Sequence, residues 1–100
     1  MNIWDAPEAY EKVISQNADG TEQVKLTVNE FRGTEYLHLR KYYLDFDGDF
    51  KPSKDGVAMA LDFQNSKALF EGLVEILSLA EVKDALETHF KEILDEIYLN

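Results

Sequence analysis

The sequence predicts an α+β fold, in which a four-stranded antiparallel sheet is followed by a long helix and an extra acidic C-terminal helix. Three observations predict it. Apolar and polar residues alternate in separate stretches between residues 10 and 61, as half-buried strands require. Clusters of turn formers separate those stretches: Asn17-Ala18-Asp19-Gly20, Arg32-Gly33-Thr34 and Asp45-Phe46-Asp47-Gly48-Asp49. From about residue 65 onward the apolar period becomes helical.

Size and composition bound the rest. One hundred residues fit one domain. Within it, residues 1–22 form an acidic segment and first strand, 23–80 a core, and 81–100 an acidic C-terminal helix. Cysteine is absent, which rules out a disulfide framework and a thiolate metal site. No apolar run approaches the ~20 residues of a membrane span. The N-terminus is acidic and lacks the basic region and apolar core of a secretion signal. These features lead us to expect a soluble cytoplasmic protein that does not bind membranes.

The elements follow in order. Asp5 and Pro7 suit the start of a short helical turn over residues 5–9, and Trp4 suits packing on the body of the fold. Residues 10–16 fit helical spacing through Tyr10, Val13 and Ile14, and strand spacing through Tyr10, Lys12 and Ile14. The Asp19-Gly20 turn favours a strand paired with the next one. Over residues 23–31, Val24, Leu26 and Val28 share one face, and Lys25, Thr27, Asn29 and Phe31 share the other. Over residues 35–44, Leu37 and Leu39 continue the apolar face, which is expected to lie inside. Tyr36, His38, Arg40 and Tyr42 are expected to point outward.

Residues 50–54 contain Pro52 and read as irregular, so the last strand is a short one at 57–61. Asn65 or Ser66 is the expected cap of a helix whose stripe (Leu69, Phe70, Leu73, Val74, Ile76, Leu77 and Ala80) is wider than one sheet face requires. Burial on two sides, against the sheet and a partner helix, would explain that width. Ser78 and Glu81 have the spacing of a capping box for a second helix ending near Tyr98. One continuous bent helix is the alternative.

Catalytic chemistry is thin. His38 and His89 are far apart and lack clustered ligand partners. The acids of the Asp45–Asp49 turn invite a calcium reading, but an EF-hand loop starting there needs Gly at position 50 and Glu at position 56. Phe50 and Gly56 occupy those places. The chain has no cysteine nucleophile, no serine in a nucleophile elbow and no phosphate-cradling glycine loop. The residues therefore indicate no enzyme, no metal and no cofactor.

Charge is more informative. The formal net charge is −10, yet six of the ten basic residues lie in residues 23–60, which are neutral overall. Local field governs attraction to a polyanion more than total charge does. Single-strand binding needs cations along the backbone and flat aromatics under the bases. Phe31, Tyr36, Tyr42 and Tyr43, interleaved with Lys25, Arg32, Arg40, Lys51 and Lys54, supply both. The other reading is that these aromatics cover one another or a dimer contact.

The stretch LTVNEFRGTEYLHLRKYYLDFDGDFKPSKDGVAM resembles the single-stranded-DNA-binding core of the positive cofactor four transcriptional coactivators. The resemblance runs without a gap from Leu26 to about Met59 and loosely to Leu77. It rests on N-E-F-R-G, L-R-K-Y-Y, D-G-D-F-K-P and K-D-G-V taken together. The short acidic form looks most like the bacteriophage or bacterial branch; for a phage protein the location is the host cytoplasm.

This resemblance implies a curved sheet and a homodimer joined through the helices, with Phe70, Leu73, Val74 and Leu77 at the contact. It places the family's turn aromatic and following base on Phe31 and Arg32. The strand arginine falls on Arg40, the stacking aromatic on Tyr43 in place of tryptophan, and the loop lysine on Lys51. Lys25, His38 and Lys54 complete the expected DNA-binding set. Asn29, Thr34 and Asp55 replace residues that are often basic. Tyr43 has the parity of Leu37 and Leu39, so reaching DNA on the outer face would require a bulge or sharp twist.

The expected function is sequence-tolerant binding of single-stranded DNA or melted duplex, in transcription regulation, replication or recombination. Residues 81–100 either finish the core, recruit a transcription or replication/recombination protein, or shield the groove. The alternative function is an acidic dimeric interaction module with weakened or lost DNA binding.

Overall fold

The computed structural model describes residues 8–99, with side chains from Ala9 onward. The expected Asp5 cap, Pro7 turn and Trp4 packing lie outside these residues. Four strands precede two helices: β1 (Glu8–Gln16), β2 (Glu22–Phe31), β3 (Thr34–Leu44), β4 (Phe50–Ala60), α1 (Phe63–Leu77) and α2 (Lys83–Tyr98). The strands form one curved antiparallel sheet in the order β1-β2-β3-β4. The chain divides into two compact units, one ending at Asn65 and the other starting at Ser66.

In the first unit, hairpin chemistry sets the register. After β1, the Asn17 side-chain carbonyl accepts the Glu22 amide at 2.9 Å, and Gly20 takes φ 75°. Thr21 donates its hydroxyl to Asp19 at 2.6 Å, which holds the Asp19 carboxyl below its ordinary pKa. Between β2 and β3, Phe31 pairs with Thr34, leaving only Arg32 and Gly33 to turn. Their φ values of 53° and 81° fit the primed two-residue turn that matches strand twist. The β2–β3 register runs unbroken from Phe31–Thr34 to Glu22–Tyr43.

β4 is longer than the expected 57–61 strand and begins at Phe50. Pro52 is tolerated because β4 is an edge strand and pairing slips beside it, with Arg40 opposite Gly56 but Tyr42 opposite Pro52. Residues 53–55 therefore form a bulge opposite Lys41. Residues 8 and 9 belong to β1, not to the expected helical turn.

Alternation sorted the residues of the two central strands correctly, but the polar face is the more deeply buried one; on the aliphatic face Leu37 is buried as expected and Val24, Leu26 and Val28 are half-buried. Thr27, Asn29, His38, Arg40 and Tyr42 are all buried. Leu39 and Val57, on the aliphatic face, are 46% and 58% exposed. Two of the buried polar side chains are stabilised there by hydrogen bonds. The His38 ring Nε2 donates to Asn29 Oδ1 at 2.9 Å, and Arg40 Nε donates to the Ser53 carbonyl at 2.6 Å.

In the following segment, Asp62 rather than Asn65 or Ser66 caps α1. Its carboxylate accepts the Asn65 amide at 2.7 Å, so the helix starts earlier than expected. The capping box at Ser78 does not form; Ser78 donates back to the Glu75 carbonyl at 2.6 Å. A turn separates the helices, and α2 starts after Val82 with no side-chain cap. Within the second unit, the Phe70 and Phe90 rings sit 6.1 Å apart at a 50° tilt. Neither helix has a fully buried residue among those described.

Two outcomes test this architecture. A Cβ at Gly56 would strike the Leu39 carbonyl and lie 2.9 Å from Arg40 Cα. Gly56→Ala should therefore cost about 1–3 kcal/mol in urea unfolding; a loss under ~0.5 kcal/mol would contradict the tight β3–β4 approach. Asp62→Ala should cost about 0.5–2 kcal/mol by the same measurement, whereas Ser66→Ala should leave the midpoint nearly unchanged.

Candidate nucleic-acid interface

The predicted site residues divide between a buried layer and an exposed surface. Lys25, His38 and Arg40 belong to the buried layer. The Lys25 ammonium lies 4.4 Å from the Tyr42 ring centroid and 3.4 Å from the Glu11 carboxylate, and its side chain is 12% exposed. His38 is fully buried and Arg40 is 2% exposed. The expectation that His38 and Arg40 project outward is thus corrected, as is that for Tyr42, because their face is the inner one.

Arg40 has a legible structural task. Its Nε bond to the Ser53 carbonyl ties the β4 bulge to β3. The Ser53 hydroxyl in turn donates to the Lys41 carbonyl at 2.7 Å and accepts the Asp55 amide at 3.1 Å. Asp55 and Lys54 are therefore presented on a braced bulge, with Lys54 exposed.

The exposed surface carries Arg32, Tyr43, Lys51 and Lys54. Tyr43 is 47% exposed and pairs with Glu22 on one side and Lys51 on the other. It needs no bulge in β3 to reach solvent, because the aliphatic-parity face is the open one. The Lys51 ammonium is 3.8 Å from Asp45. Asp45 is also committed to its own loop, since its Oδ1 accepts the Asp47 and Asp49 amides at 2.9 and 3.0 Å.

At the other end of β3, the half-buried Phe31 precedes Arg32, whose guanidinium carbon is 5.0 Å from the Phe31 ring centroid. Arg32 is the one non-glycine residue with positive φ among those described. The left-handed backbone holds this cation at the hairpin tip. Among the described residues no group of three or more His, Asp or Glu side chains forms a metal-binding cluster.

The expected dimer-contact residues also divide. Phe70 and Leu73 are exposed, whereas Val74 and the partly exposed Leu77 line grooves with Leu86 and Phe90.

Comparison with known proteins places this geometry. The profile of the family Transcriptional Coactivator p15 (PC4) matches residues 19–65. A solved structure of the bacteriophage T5 homologue of the eukaryotic transcription coactivator PC4, implicated in recombination-dependent DNA replication, is 30% identical. The alignment covers 84% of this chain and 93% of the phage protein, with a TM-score of 0.67. The chain belongs to the PC4 family.

A Caenorhabditis elegans relative, named as a candidate RNA polymerase II transcriptional coactivator, is 30% identical over 69 residues. That match covers 62% of this chain but only 51% of the nematode protein, so the chain spans about half of that relative. A PC4 homologue from Burkholderia pseudomallei is 23% identical, with a TM-score of 0.53 over 76% of this chain and 99% of its own. This last likeness speaks to fold alone. The family profile spans the β1–β2 turn to the start of α1, which includes both the exposed surface and the buried polar layer.

The placement of Arg40 yields a prediction that separates support from surface contact. Arg40→Lys keeps a positive charge but loses the planar Nε donor. It should lower unfolding stability by about 1.5–3 kcal/mol, the range for hydrogen bonds involving charged groups. An unchanged unfolding midpoint would show that the bond to Ser53 does not brace the bulge.

Proposed function

We propose that this PC4-family protein is a homodimeric, sequence-tolerant single-stranded-DNA-binding protein. The observation that carries the reading is the open position of Tyr43 beside Lys51, at the far end of β3 from Phe31 and Arg32. At ~3.3 Å per residue, β3 separates the two aromatic–cation pairs by roughly 30 Å. A single strand stacks a base on Tyr43 and meets Lys51 and Lys54 with its phosphates; Phe31, on the opposite face by register, stacks a base only where the strand passes around the hairpin tip beside Arg32. In this mechanism Arg40 and His38 act from beneath, Arg40 by bracing the bulge and His38 by tying β3 to Asn29 of β2.

Pairing of two copies follows from apolar surface. Phe70, Leu73 and Leu77 are exposed on α1. A chain of this size gains from covering such area with a second copy. The protein acts without catalysis or a cofactor, on exposed or melted strands in transcription, replication or recombination. The relationship to the T5 homologue supports the replication and recombination side. Its α2 helix serves the dimer or a partner protein.

A second reading has its own support. Lys25, Lys41 and Lys51 each lie within 4.0 Å of a carboxylate, and the chain carries net charge −10. An acidic interaction module that no longer binds DNA would show the same pairing.

Titration of a fluorescent oligothymidine at about 50 and 200 mM salt separates the two. Binding that weakens with salt is expected; no binding at the lower concentration favours the interaction module. Tyr43→Ala and Phe31→Ala should each cost ~1–3 kcal/mol of binding, about 5- to 150-fold. Light scattering should give about twice the 11.5 kDa chain mass, and Leu73→Glu should reduce the mass toward one chain.

A further inference from the structure

Resting on the single-strand reading, we infer that Lys41 forms an additional nucleotide subsite beside Tyr43, with Glu22 as a competing anion. Lys41 and Tyr43 are two residues apart on β3, and the unbroken β2–β3 register keeps both on the exposed face. Their Cα atoms are therefore roughly 7 Å apart along the strand. A strand stacked on Tyr43 and touching Lys51 on β4 brings a neighbouring phosphate within reach of Lys41.

The surroundings fit a nucleotide. Lys41 borders a shallow depression of about 160 Å³ with Gln16, Gln23, Ser15 and Glu22 along its walls. Register puts Ser15, Val24 and Glu22 on the face of Lys41, whereas the Gln16–Gln23 amide pair, joined at 2.8 Å, has the parity of Tyr42. The Ser15 hydroxyl offers a polar contact to a base edge without demanding one base, while the ammonium answers the phosphate.

The Lys41 ammonium lies 3.9 Å from the Glu22 carboxylate, and both side chains are about half exposed. An ion pair of this kind contributes little to stability, so a phosphate can displace the carboxylate. Lys51 differs, because its partner Asp45 is held by its own loop amides. Glu22 thus lowers affinity at one subsite, and its influence depends on Lys41.

Oligothymidine titrations across a salt series test this with the full chain. One phosphate contact on a single strand contributes ~0.7 to the slope of log affinity against log salt. Lys41→Gln should weaken low-salt binding several-fold and reduce the slope by about that amount, whereas Lys41→Arg should retain it. Glu22→Gln should tighten low-salt binding in the Lys41 protein but not alongside Lys41→Gln. A protein that binds oligothymidine with the same slope after Lys41→Gln overturns this subsite alone. A wild-type protein that does not bind overturns the single-strand reading and the subsite with it.

Discussion

The buried Arg40 guanidinium is the constraint on which the sheet depends. Burying a permanent positive charge is costly unless its donors are met, so the chain around it has little freedom. One donor reaches the Ser53 carbonyl, which draws β4 toward β3 at the point where pairing slips. Gly56 faces Arg40 across the strands because a side chain there would strike the β3 backbone. The bulge between Ser53 and Asp55 is the result. It allows an edge strand containing Pro52 to stay paired from Phe50 to Ala60 and still present Lys51 and Lys54.

The rest of the polar layer repeats this logic at lower charge. His38 and Asn29 join β3 to β2, and Lys25 lies over Tyr42 while reaching Glu11 on β1. Polar side chains thus link all four strands on one face of the sheet. The aliphatic face is left half-open, with Tyr43 at its end. The scaffold and the proposed contacts of Tyr43 and Lys51 use opposite faces of the same strands, and Phe31 joins from the hairpin tip. Changes to the buried set should act through stability, while changes to the exposed set should act through affinity.

Acidic residues shape the exposed surface as much as basic ones do. Asp45 and Glu22 each stand close to a lysine of that surface. Their hold differs: Asp45 is anchored by two backbone amides, whereas Glu22 has a half-exposed side chain on β2. A net charge of −10 is therefore compatible with polyanion binding when the carboxylates nearest the cations can yield. The exposed Phe70, Leu73 and Leu77 on α1 and the exposed Ile93, Leu94 and Ile97 on α2 show that this chain leaves considerable apolar surface for association.

Much of this was legible in the residues. Period-two alternation separated Val24, Leu26, Val28, Leu37 and Leu39 from Thr27, Asn29, His38 and Arg40, because strand side chains must alternate. Turn chemistry located all three hairpin connections, and the run from N-E-F-R-G to K-D-G-V pointed to the family. Alternation cannot say which face is covered; that depends on partners distant in sequence. His38 and Arg40 were read as outward because isolated polar side chains favour water, and only the fold reveals Asn29 and the Ser53 carbonyl within reach. The same limit hid the helix cap, since Asp62, Asn65 and Ser66 are all chemically able caps and only the backbone path selects Asp62. Sequence alone thus determined the strands, the turns, the two side-chain sets and the kinship. Tertiary structure decided which set is buried, where β4 bulges and which aromatic stands open, because burial and hydrogen-bond satisfaction are settled between strands rather than along them.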